Sequence, residues 1–126
     1  MKKIILRCAI ITGLIFATLW IRFPSKLNKI QSDAIIRAKS DITEGRPRYL
    51  LYGELAPYEA EITKLMQERY KVQLDRVAGC ILNESQAAEY NAYNQTISKH
   101  FGFTDDLDIF HSTLNEVFKI QNENKK

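Results

Sequence analysis

Apolar residues run almost unbroken from Cys8 to Ile21, and no later stretch gathers so long a block. From Ser25 onwards they recur singly, spaced by polar residues. The first pattern predicts a membrane-directed helix and the second a small amphipathic domain. Lys2, Lys3 and Arg7 sit at the start of the block, and Trp20 stands near its far end, where an indole suits a membrane interface. Ile4 to Ile21 reaches the roughly 17 to 25 residues that a spanning helix needs, with Arg7 snorkelling back to the head groups. No small-residue cleavage site follows; the chain continues Trp20-Ile21-Arg22-Phe23-Pro24. Residues 1–24 therefore read as an uncleaved signal-anchor or transmembrane segment. Cys8 stands at the start of the apolar run, whereas a lipoprotein cysteine would come after it, so lipoprotein processing is not expected.

The remaining pattern predicts a basic amphipathic helix over 25–40, capped by Ser25, with Leu27, Ile30, Ala34 and Ala38 on one face. It would lie on the membrane or pack on the domain. Residues 41–48 contain Gly45 and Pro47 and read as a linker. Tyr49 to Leu55 reads as a strand. A helix follows, opening at Pro57 and placing Tyr58, Ile62, Leu65, Met66 and Tyr70 at helical spacing. Val72 to Leu82 reads as a second strand. Asn83 and Gln86 form a capping box for a third helix, with Tyr90, Tyr93, Ile97 and Phe101 on one stripe and Gly102 at its end. Thr104 is the expected cap of a last helix, with Asp105 and Asp106 in its first turn and Leu107, Phe110, Leu114, Val117 and Phe118 on its apolar face.

The fold class expected is α+β: an N-terminal membrane-anchor helix followed by a small β-α-β-α-α domain. The segments are 1–24 (anchor), 25–48 (basic helix and linker) and 49–126 (domain). The short link between the first domain helix and the second strand allows parallel pairing through a crossover. Two strands make a thin sheet, so the helices must supply most of the core.

Charge sharpens this picture. Residues 1–48 hold ten Lys/Arg against three Asp/Glu, a balance of +7, whereas 49–126 hold eight against twelve, a balance of −4. A nucleic-acid-binding domain would concentrate positive charge on the folded part, so no nucleic acid is expected as a partner. The basic stretch suits an anionic lipid surface, at about 1 kcal/mol per Lys or Arg. The positive-inside count favours a cytoplasmic domain and the signal-like layout an external one. The layout gives the expected location: the bacterial inner membrane, single-pass, with the domain in the periplasm and residues 4–21 in lipid.

Candidate chemistry is sparse. Cys80 would need a base and a lowered pKa to act as a nucleophile. The chain has only His100 and His111, neither obviously near it, so Cys80 is expected to be a small buried packing residue beside Gly79. Asp105, Asp106, Asp108 and His111 could be drawn as a metal site, but their spacing fits no ligand motif, and capping accounts for the acids. Tyr49, Tyr52, Tyr58, Tyr70, Tyr90 and Tyr93 could line a groove, although helical spacing already explains the last four as core or boundary. If Asn94 lies on the inner stripe, it needs hydrogen-bond partners. No Gly-rich phosphate loop or nucleophile elbow occurs. No catalytic, metal or cofactor-binding residue is assigned.

Read together, ERYKVQLDRVAGCILNES and YNQTISKHFG resemble small uncharacterised bacterial envelope proteins. These carry a V-A-G-C strand followed by a helix with Y-N; the resemblance spans residues 67–118. It implies an exported domain and a structural Gly79-Cys80 pair, and it implies no activity. This chain departs from the pattern with Lys71 in place of Gly, Asn83 in place of Thr, and no lipoprotein cysteine after its apolar run. The function expected is that of a membrane-anchored envelope protein that binds another protein, as an accessory or an inhibitor/immunity factor. The alternatives are a cytoplasmic-facing membrane adaptor and a Cys80-dependent enzyme or redox protein.

Overall fold

A computed structural model describes residues 25–54, 56–104 and 108–124. Ser25 begins it as a helix cap, its hydroxyl accepting the N–H of Asn28 at 3.2 Å, and α1 follows over Lys26–Thr43. Next come β1 (Arg48–Tyr52), α2 (Glu59–Tyr70), β2 (Gln73–Ala78), α3 (Glu84–His100) and α4 (Ile109–Glu123). The two strands pair in parallel, Arg48 opposite Gln73 and Leu51 opposite Arg76, with α2 as the crossover. The register slips after Leu51, so that Tyr52 faces Ala78 and Val77 is left over.

Local chemistry sets the helix ends. Asn83 accepts the Gln86 N–H at 2.9 Å while the Gln86 side chain accepts the Asn83 N–H at 3.1 Å, which completes the expected capping box. Gly102 follows α3 with φ +83°. Lys71 ends α2 in the left-handed region, φ 58°, and the Val72 N–H closes back on the Met66 carbonyl. That closure belongs to a terminus that favours glycine.

The core is mostly helical. Ala34 and Ala38 of α1, Ile62 and Met66 of α2, Tyr93 and Ile97 of α3, and Ile109, Phe110 and Val117 of α4 close around Tyr49, Leu50 and Leu51. The two alanines let α1 lie close along α3, the most extensive helix pairing in the fold. Of the two places open to the basic helix, it occupies the one against the domain. At its C-terminal end the Asp41 carboxylate accepts the Tyr93 hydroxyl at 2.5 Å and the Arg48 guanidinium at 3.0 Å.

Several expectations are corrected. The membrane-anchor helix drops out of the architecture, because no helix among the described residues is long and apolar enough to cross a membrane. Residues 1–24, where it was expected, lie outside them. The helix that does open the described fold, α1, exposes Lys26, Lys29, Asp33, Arg37 and Lys39, far too polar a set for hydrocarbon. The transmembrane and signal-anchor assignment, and with it the single-pass inner-membrane location and periplasmic domain, is corrected for the described residues: none of their helices can span a membrane. The fold is a small α+β arrangement of four helices and a two-stranded sheet among the described residues.

Cys80 is not a packing residue, since its thiol is free and exposed. A side chain at Gly79 would meet nothing within 4 Å, so no close approach demands that glycine. α2 starts at Glu59 after a left-handed Tyr58 rather than at Pro57. The last helix is capped by Asp108, not Thr104, and begins at Ile109. Asp105 and Asp106 lie outside the described residues.

Candidate functional site

β1 is flanked by β2 on one edge and by α3 on the other. Asn94 makes the second contact: its carboxamide oxygen accepts the Leu50 N–H at 2.8 Å, and its amide donates to the Leu50 carbonyl at 2.8 Å. A side-chain amide thus replaces a third strand at that residue and satisfies two buried backbone groups at once. This meets the requirement that an inward Asn94 find partners.

Next to this contact Tyr49 to Tyr52 of β1, one side of α3 and the start of α4 line a cleft of about 480 Å³. Its apolar floor includes Leu51 and Phe110. Tyr49 stacks on Phe110 with ring centroids 5.6 Å apart and donates its hydroxyl to Asp108 Oδ2 at 2.7 Å. Asp108 in turn caps α4. Its Oδ1 accepts the His111 backbone N–H at 2.8 Å and lies 2.9 Å from His111 Nδ1. On the facing wall the Tyr52 hydroxyl donates to Asn91 Oδ1 at 2.8 Å, and Gln95 and Glu54 complete the rim.

The electrostatics follow from these contacts. Burial pushes the Asp108 carboxyl up, but the His111 N–H, the Tyr49 hydroxyl and the His111 ring outweigh it and hold the group below the usual carboxylate range. Burial and the neighbouring Asp108 charge raise the Tyr49 phenol, which therefore stays a donor. An ionised Asp108 can only accept, so the short contact places a proton on His111 Nδ1. Nε2 of the same ring has no hydrogen-bonded Ser, Thr or Cys among the described residues.

Of the residues weighed from sequence, the fold brings Asp108 and His111 together with Tyr49 and Tyr52. Tyr93 is fully buried, and Tyr58, Tyr70 and Tyr90 pack against the core, as helical spacing predicts. Cys80 and His100 are not among the residues lining the cleft. No group of three His, Cys, Asp or Glu is placed to hold a metal ion among the described residues. Glu54, Asn91 and Gln95 escaped the sequence reading. The one available signal was the D-x-x-H spacing of Asp108 and His111, which puts a capping carboxylate beside a first-turn imidazole. Comparison with known protein families, curated proteins and solved structures finds no match, so the resemblance over residues 67–118 rests on its motifs alone.

Proposed function

We propose that this chain is a protein-binding module, an accessory or inhibitor, that engages its partner through the cleft beside β1. The carrying observation is the make-up of that cleft: two tyrosines, three carboxamides, an imidazole and two carboxylates around an apolar floor. Aromatic rings with polar tips, set among amides that can donate and accept, are the groups that anchor protein interfaces. The frame is rigid, because Tyr49, Asn94 and Asp108 are each locked by hydrogen bonds to another element.

A photo-crosslinking residue at position 95, on the rim, tests this directly. In the native cells it should yield a discrete protein adduct that Tyr52→Ala abolishes. The same group at position 119, outside the cleft, should yield none. Equal labelling from both positions, or an adduct that survives Tyr52→Ala, would remove the cleft as the contact surface.

A further inference from the structure

We infer that the cleft receives a basic side chain, an arginine or lysine presented by the partner; this deepens the protein-binding reading and rests on it. The chain has 18 Lys and Arg against 15 Asp and Glu. Even so, no Lys or Arg lines the cleft, while Glu54 and Asp108 both do. Other carboxylates near the sheet are neutralised from within: Asp41 and Asp75 by Arg48, and Glu59 by Arg76. Glu54 is exposed and has no ion pair or hydrogen bond among the described residues. Asp108 is bonded to Tyr49 and His111, but no Lys or Arg balances its charge. The N-terminus of α4, the one positive backbone feature facing the cleft, is already capped by that same carboxylate.

The cleft is therefore a negative, partly desolvated space on a chain of positive net charge. The phenol ring of Tyr52 stands in its wall, where a cation gains from the aromatic face. Gln95 is exposed beside it and adds an amide acceptor. A guanidinium offers five donors in one plane, suited to a carboxylate such as Glu54 and an amide oxygen such as that of Gln95. An acidic side chain would bring like charge against Glu54 and Asp108 with no Lys or Arg in the lining to offset it.

The test uses the ¹⁵N-labelled full chain and four capped tripeptides, Gly-X-Gly with X as arginine, citrulline, norleucine or glutamate. Citrulline keeps the shape of arginine and removes its charge. The arginine peptide should shift the backbone amides of Tyr52, Asn91, Gln95 and His111. It should bind at least about fivefold more tightly than the citrulline peptide, a gap in line with one charge-assisted contact. Glu54→Gln, a change at an exposed and unpaired site, should close most of that gap with the rest of the spectrum unchanged. If the citrulline, norleucine or glutamate peptide shifts the same amides equally or more strongly, the basic side chain is ruled out and the binding cleft stands. If no peptide shifts those amides, both the occupant and the cleft's binding role fall.

Discussion

Asn94 bonds both backbone groups of one core residue. It is buried at 6 % exposure and satisfies both the N–H and the C=O of Leu50, itself buried. Asn94→Ala strands both backbone groups in the interior, where each unsatisfied group costs about 1–3 kcal/mol. The variant should lose roughly 2–6 kcal/mol in urea unfolding, on the same two-group basis. A loss below about 1 kcal/mol would mean that water reaches Leu50, so that the amide is replaceable. Helical spacing made this residue legible, since it sets Asn94 beside Tyr93 and Ile97 on the inner side of α3. Its partner was not legible, because β1 lies 44 residues earlier in the chain. Cys80 misled for the opposite reason. Free cysteine is usually buried, yet β2 ends at Ala78 and leaves Cys80 in the exposed connection before α3.

At the scale of elements, the signals that worked were local. Ser25, the Asn83–Gln86 box and Gly102 each act within a few residues, and each marks a real terminus. Thr104 failed as a cap because Asp108, four residues on, also caps, and it gains a bond from Tyr49 that only the folded chain provides. The end of α2 shows a local preference overridden. Lys71 holds φ 58° in a closure that glycine adopts without strain. A non-glycine residue in that region costs about 1–2 kcal/mol, whereas glycine gives up about 0.5–1 kcal/mol in unfolded-chain entropy. Lys71→Gly should therefore stabilise the fold by up to about 1 kcal/mol, read as a higher urea midpoint with an unchanged slope. A lower midpoint would show that the contact from the Lys71 amine to the Glu68 carbonyl, 3.2 Å long, outweighs the backbone strain.

For the molecule as a whole, the sequence anticipated the order of the last five elements and left parallel pairing open, which the strands adopt, but not how α1 and the cleft are assembled. The cleft unites residues separated by 39 and 59 positions, Tyr52 with Asn91 and Tyr49 with Asp108, and no periodicity reports such distances. The docking of α1 includes a long-range cluster of the same kind, in which Asp41 joins Arg48 of β1 to Tyr93 of α3. Burial pushes the Asp41 carboxyl up, yet the bonds from Tyr93 and Arg48 and the charge of Arg48 prevail and hold it below the ordinary aspartate value of 3.8. A carboxylate with a lowered folded pKa stabilises the fold fully above its unfolded value and loses that contribution as pH falls through the folded one. Asp108 is displaced in the same direction. Stability should therefore be level around neutrality and decline below about pH 3.8, where both groups begin to take up protons. Asp41→Asn keeps the shape but removes the charge, so it should cost about 1–2 kcal/mol at pH 7, the difference between charge-assisted and neutral bonds. It should also flatten the acid limb, leaving mainly the slope due to Asp108. Urea unfolding of both proteins from pH 7 to pH 2 checks the pair of effects: the curves should converge as the pH drops. Curves that stay parallel would mean that α1 is held by its other contacts with α3, among them the alanine face and the Arg37–Glu89 pair, with Asp41 contributing no net charge interaction to the folded state.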